Sequence, residues 1–295
     1  MSVAYNLDRD GIWCASVPPT HRDGEYDATH FATLVKMQRD HFWYHGRHRF
    51  VAESLRRTVR KTGLDRRSLA LIDIGGGCGG WASLMAARSK DLLAQGAHEI
   101  ALADSSLVSL QLAASHLPAG VRRYHVDILK MDWQERWDVI FLLDVLEHIP
   151  QDCAALKQVY QALTPGGIAI VTTPALQRFW TWNDDIVHHC RRYCRRDFER
   201  LARAAGLELV DSRYFQFFLS PLLLASRYSH QPRWREMTAE QQAKLISDTH
   251  RVPHPLINSL LSATFAAETP LGHLVHFPWG TSILGVFQKP KASHS

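Results

Sequence analysis

The chain has 295 residues, 46% of them hydrophobic, with a formal net charge of +5, a length that fits one elaborated α/β domain with a substantial core better than two small ones. No run of eighteen apolar residues occurs and the opening MSVAYNLDRDG lacks the basic-then-apolar plan of a signal peptide, so a cytoplasmic protein with no membrane partner is expected. The modest positive charge, with basic runs at 56–61 and 191–196, reads as solvated helical faces rather than a nucleic-acid stripe interleaved with aromatics.

In chain order, residues 1–30 carry few periodic apolar positions and several turn formers, which predicts an irregular arm. The spacing of Phe31, Leu34 and Val35, then of Phe50, Ser54, Leu55 and Val59, predicts two amphipathic helices joined near residues 43–46. Residues 1–67 are therefore expected to form an arm and helical cap ahead of a core over 68–295. In that core an apolar run at 68–74 enters Gly75-Gly76-Gly77-Cys78-Gly79-Gly80, and a helix is expected over 81–88. A strand at 99–104, a helix at 106–116 and a short strand at 123–127 follow. The fourth strand, 137–143, ends at Asp144 before a helix over 152–163, and a fifth strand is expected at 167–172. Strands alternating with helices across glycine turns predict a parallel, doubly wound, Rossmann-like sheet whose strand ends and following loops share one rim. A sixth strand is read at 207–218 and a last one at 281–287, giving seven, with a helical insertion of about 219–280 between the last two. Cap and insertion together are placed to roof a pocket.

The five cysteines Cys14, Cys78, Cys153, Cys190 and Cys194 are odd in number and irregularly spaced, so reduced thiols are expected rather than a disulfide framework. Cys190 and Cys194 follow His188 and His189, but no second pair completes a zinc pattern, and no metal is assigned.

A glycine turn after a strand lets backbone amides approach a ligand at a helix N-terminus. Here the spacing fits two fingerprints: Gly75, Gly77 and Gly80 match a dinucleotide turn, whereas Asp73, Gly75, Gly77 and Gly79 match a methyl-donor turn. Asp104, at the next strand end, could accept both ribose hydroxyls of either ligand. Asp73 would repel a pyrophosphate but suits a cationic sulfonium ligand with an amino group. Asp127, with Ile128 beside it, is placed for an exocyclic adenine amine. Asp144-Val145-Leu146-Glu147-His148-Ile149 and Leu163-Thr164-Pro165-Gly166-Gly167 complete the ordered set.

From about residue 71 to residue 171 these motifs resemble the class I S-adenosylmethionine-dependent methyltransferases. Outside that core, His41-Phe42-Trp43-Tyr44, Arg47, His188-His189-Cys190-Arg191-Arg192-Tyr193 and Pro278-Trp279-Gly280-Thr281-Ser282 resemble a bacterial subgroup acting on small molecules of natural-product type. The resemblance implies S-adenosylmethionine as methyl donor, S-adenosylhomocysteine as product, and donor contacts at Asp73, Gly75, Gly77, Asp104, Ser105, Asp127, Ile128 and Asp144. Gly79 belongs to the same turn, and Trp43, Tyr44 and Arg47 are placed to close over the donor, with Arg47 on its carboxylate; an aromatic helix face packed on the sheet is the alternative.

Methyl transfer is an in-line displacement that asks mainly for alignment in a dry site, with a base only if the acceptor has a proton to lose. His148 is the first candidate, since it follows the fourth strand on the reactive rim; His189 and His188 come next. A structural, hydrogen-bonded role stands beside each. The aromatic runs 179–182 and 214–218 are candidates for an acceptor pocket, the second equally for a core strand. A small aromatic or heterocyclic acceptor, methylated at C, N or O, is the favoured reading, with no nucleic-acid partner and a homodimer through the roof as an alternative to a lid. A nicotinamide-dependent oxidoreductase and a non-catalytic protein on the same fold are the competing functions.

Overall fold

The structure is a computed structural model and describes residues 3–19, 28–229, 234–249 and 251–291. In chain order its strands are β1 (Tyr5–Leu7), β2 (Ile12–Ala15), β3 (Leu69–Ile74), β4 (Ala97–Asp104), β5 (Arg122–His125), β6 (Trp137–Leu143), β7 (Leu163–Pro174), β8 (Glu208–Phe215) and β9 (Ser282–Gln288). They form one sheet in the order β1-β2-β5-β4-β3-β6-β7-β9-β8. From β5 to β7 all neighbours are parallel, and β9 is antiparallel to both β7 and β8. β3 and β6 are buried at every position, as expected of parallel strands covered on both faces. Ile72, Ile140, Leu142, Ala169 and Val171 face one core with α5 (Asp152–Ala162) and α7 (Arg195–Ala205). Leu71, Phe141, Ile168 and Ile170 face the other, with α2 (Phe42–Thr62) and α3 (Gly80–Leu92). The C-terminal ends of β3, β4, β5 and β6 thus open on one rim, where loops and the helix α4 (Leu107–Ala113) begin.

The first difference from the sequence reading lies in the arm. Residues 5–7 and 12–15 are an antiparallel hairpin that adds β2 in parallel to β5, so among the described residues the sheet has nine strands rather than seven. Asp8 holds the turn by accepting from the amides of Asp10 and Ile12 at 2.9 and 2.8 Å. Tyr5 anchors it, stacking on Trp133 at 5.6 Å and donating its hydroxyl to the Met131 carbonyl at 2.6 Å. These partners lie more than a hundred residues away, which local periodicity does not report. Residues 1–2 and 20–27 of that expected arm lie outside the described residues.

The second difference concerns the cap. α1 (Ala28–Asp40) and α2 part at His41 rather than near 43–46. His41 is extended and its ring accepts from the Trp43 amide at 3.1 Å, an N-cap made by an imidazole. Asn258 of α10 (Pro255–Leu274) fastens the break, accepting from the Phe42 amide at 2.9 Å and donating to the Asp40 carbonyl at 2.8 Å. Phe31 falls in α1, but its side chain lies outside the described residues.

Between β8 and β9 run α8 (Ser220–Ser229), α9 (Ala239–Thr249) and α10, while α6 (Trp182–Ile186) lies in the loop after β7. α10 packs so closely on α2 that a Cβ at Gly46 would sit 1.9 Å from the Phe265 ring. At the start of β9, Gly280 is equally constrained: a Cβ there would lie 2.2 Å from the Phe215 carbonyl oxygen. Backbone cannot yield as a side chain can, so Gly280→Ala is expected to lower stability by about 3 kcal/mol, seen as a Tm lowered by roughly 6 °C or more in thermal unfolding. An unchanged Tm would remove the close approach as the reason for glycine. Among the described residues, no helix is long and apolar enough to cross a membrane.

Candidate active site

Turn and rim meet in one cavity of about 1810 Å³. It is lined by Trp43, Arg47, Asp73, Gly75, Gly77, Asp104, Ser105, Asp127, Ile128, Asp144, His148, His188 and His189. Of the donor-contact and base candidates read from sequence, Gly79 is not in that lining.

The glycine turn is shaped for close approach. Gly75 has φ 72°, and a Cβ there would lie 2.6 Å from Val145; one at Gly76 would lie 2.2 Å from the Asp73 carboxylate. Asp73 is buried, and neither carboxylate oxygen meets a hydrogen-bond donor. Burial pushes its carboxyl from the usual 3.8 up to about 7, with Arg47 pulling it down and Asp104 pushing it up. Asp104 ties the turn to β4: its two oxygens accept from the amides of Gly77 and Ser106, each at 2.8 Å. Asp127 caps the following 3₁₀ turn, accepting from the Leu129 amide at 2.9 Å.

Arg47 reaches this cavity from α2. Its guanidinium lies 4.8 Å from the Trp43 ring centroid and 5.1 Å from that of Tyr44, pairs with the Asp144 carboxylate, and donates to the Leu143 carbonyl at 3.3 Å. Its Nε has no partner. The aromatic pair therefore clamps the arginine, and Asp144 is its partner on the rim. Asp144 has φ 61° and also accepts from the Thr172 hydroxyl at 3.3 Å.

At the other end of the cavity, the turn after β6 meets the loop around α6. The His148 and His189 rings lie edge to face with centroids 4.8 Å apart. Nδ1 of His189 is 2.9 Å from an oxygen of Asp184, whose carboxylate is gripped by Arg192 at 2.8 and 2.9 Å and by the Thr181 amide at 2.8 Å. Those donors hold Asp184 ionised, well below the usual carboxylate range despite its burial. His189 thereby donates from Nδ1 and turns Nε2 toward a Glu147 oxygen 4.0 Å away. Glu147 is fully buried with neither carboxylate oxygen meeting a donor, and burial together with Asp144 drives its carboxyl well upward. Burial and the neighbouring His189 and His188 push His148 down to about 3. An imidazole at that value is neutral at pH 7 but a weak proton acceptor, the reverse of the tuning a general base needs. His188 is exposed with φ 57° at the edge of the cavity. Cys190 is exposed and takes no part in the histidine cluster beyond its amide, which donates to the Glu147 carbonyl at 2.7 Å.

Comparison with known proteins decides the family. A family model described as a methyltransferase domain matches residues 42–212. The chain belongs to the class I S-adenosylmethionine-dependent methyltransferases. Among curated relatives, the ubiquinone biosynthesis O-methyltransferases of two Pseudomonas putida strains are 29% and 30% identical over 112 residues, 37% of this chain. That of Psychrobacter arcticus is 26% identical over 105 residues. The chain spans about half the length of the curated relatives it matches, 47% for the two from Pseudomonas. Among solved structures, a chain of the complex between the Haloferax volcanii Trm112 methyltransferase activator and a methyltransferase shares the fold at a TM-score of 0.55. It is 15% identical, with 92% of this chain and 98% of that one covered.

The dinucleotide reading of the glycine turn falls away with that assignment, and the oxidoreductase alternative with it. Sequence reasoning about this methyltransferase passed over three residues of the cavity. Glu147 stood in the motif beside His148 but reads locally as a helix-turn acid. Asp184 lies just beyond the run 179–182, which stands out for its aromatics. Gln216, buried with φ 61° and its side-chain amide nitrogen without a partner, sits at the end of β8, where the apolar run hid it. Of the aromatic candidates, Trp182 lines the cavity, whereas Phe215 is fully buried against Phe50 and Phe265, and Phe217 stacks on Phe277 at 4.8 Å.

Proposed function

We propose that this methyltransferase moves a methyl group from S-adenosylmethionine to a hydroxyl oxygen of a small aromatic acceptor with an apolar body. The observation that supports this most is the continuity of one cavity from the glycine turn to the histidine cluster, under a roof lined by Leu222, Leu223, Trp234, Ile257 and Leu261. Asp73, with two carboxylate oxygens that lack donors, fits the donor's ammonium group. Asp104 fits its ribose hydroxyls and Asp127 and Ile128 its adenine, while Gly75 and Gly76 let the turn lie close against Val145 and the Asp73 carboxylate. When bound, the donor supplies a methyl group already activated on a sulfonium. The chain's own task is then alignment and exclusion of water. The curated relatives are O-methyltransferases, which favours oxygen over carbon or nitrogen as the accepting atom.

Incubation with the donor and a panel of phenols, catechols and hydroxylated heterocycles, read by mass spectrometry, is expected to show products heavier by one methyl group. Binding of S-adenosylhomocysteine with no product across the panel would sink the acceptor assignment and favour a non-catalytic role. The outward face of the roof, with Leu256, Leu260 and Leu274 exposed, supports a homodimer. Sedimentation of the purified chain as a single one-chain species would remove it.

A further inference from the structure

We propose that Glu147, His148 and His189 bind one divalent transition cation of the zinc class, positioned to hold the acceptor's hydroxyl oxygen. The cation's use in the reaction rests on the O-methylation reading; its binding does not.

One ligand atom from each of the three side chains lies within 4.8 Å of the other two. Zinc bonds of about 2.0–2.1 Å set tetrahedral ligands about 3.4 Å apart, so the cation would draw the three atoms together by a modest side-chain movement. The placement of the His189 ring points the same way. With Nδ1 2.9 Å from Asp184, Nε2 is turned toward a Glu147 oxygen 4.0 Å away. Among the described residues neither Glu147 oxygen meets a hydrogen-bond partner, and a cation between the two side chains would satisfy both. The chain Arg192, Asp184, His189 is the carboxylate–histidine support that orients metal-bound imidazoles.

Charge leads to the same place. Arg47 pairs with Asp144 and Arg192 with Asp184. Among the described residues no lysine or arginine pairs with Glu147, which is fully buried. Cys190, donating its amide to the Glu147 carbonyl at 2.7 Å, pins the two ligand-bearing segments together. Two imidazoles and one carboxylate are the donor set of open catalytic zinc sites, in which a fourth position takes water or substrate. All three side chains line the cavity that the glycine turn shares. An acceptor hydroxyl coordinated there ionises more readily, its proton leaving to water. The oxygen then forms the new bond to the methyl carbon as the carbon–sulfur bond breaks and sulfur keeps the electron pair.

The test uses the full chain, stripped by chelation and titrated with Co²⁺ as the spectroscopic probe. One ion per chain is expected, with visible ligand-field bands that Zn²⁺ abolishes. His189→Ala and, separately, His148→Gln are expected to lose the bands and weaken binding by about 100-fold, while S-adenosylhomocysteine affinity on the same samples stays within about threefold. Asp184→Asn, which leaves all three ligands but removes the carboxylate charge that supports the His189 imidazole, should weaken cobalt binding by about 10-fold or more. Failure of the wild type to bind stoichiometric cobalt, or bands retained in both histidine variants, overturns the site. Full transfer activity in the chelated enzyme overturns its part in the reaction. A cobalt site intact in protein that methylates no hydroxylated aromatic would leave the cation site standing and overturn the acceptor reading.

Discussion

Asp104→Ala is expected to weaken S-adenosylhomocysteine binding by about 100-fold or more. In the proposed donor site the carboxylate accepts two ribose hydroxyls, and charged hydrogen bonds of this kind contribute about 1.5–3 kcal/mol each, against roughly 1.4 kcal/mol per tenfold in Kd. The same oxygens accept from the Gly77 and Ser106 amides at 2.8 Å, so alanine also releases the turn from β4. Both losses act in one direction. Calorimetric titration of wild type and variant with S-adenosylhomocysteine, with NAD as a control ligand, checks it. A Kd unchanged within threefold would take Asp104 out of the donor site, and tighter binding of NAD than of the sulfur nucleoside would contradict the donor assignment altogether.

Asp73→Asn should move stability and binding in opposite directions. In the folded chain the carboxyl is pushed up from 3.8 to about 7, chiefly by burial, so the native state holds the proton more tightly than the unfolded chain does. The stability this confers is complete below pH 4, is lost as the pH rises toward 7, and stays lost above it. The penalty at pH 8 is at most about 4 kcal/mol. Asparagine removes the charge, so the variant without donor should melt above wild type at pH 8 and show no such gain near pH 4. Donor binding follows the other sign. In the proposed donor site the ionised carboxylate is the partner for the donor's ammonium group, so wild-type affinity should rise roughly tenfold per pH unit below about 7 and level off above it. In Asp73→Asn, affinity should be weaker and this rise should vanish. Titrations with S-adenosylhomocysteine at pH 6, 7 and 8 decide the matter: a flat wild-type profile would mean that Asp73 does not meet the ammonium. A carboxylate that destabilises the free protein and is satisfied on binding is the signature of a site residue rather than a core one.

What the amino-acid sequence determined by itself was the part of the molecule written in local physics. The run Trp137-Asp138-Val139-Ile140-Phe141-Leu142-Leu143 is apolar at almost every position, as only a strand covered on both faces can be, and it became the fully buried β6. The turn Gly75-Gly76-Gly77 announced itself because positive φ and close approach leave few other residues able to stand there. The acids at 73, 104 and 127 were legible because each stands at or just beyond the C-terminal end of a strand. What only the tertiary structure decided depends on partners distant in sequence. The hairpin of β1 and β2 joins the sheet because Tyr5 finds Trp133 and Met131. The cap breaks at His41 where Asn258 of the insertion secures both sides. Glu147 and His148 meet His189 because Arg192 and Asp184 fold the intervening loop back on the rim. No periodicity records such meetings, since each residue in them satisfies its own local geometry equally well without the other.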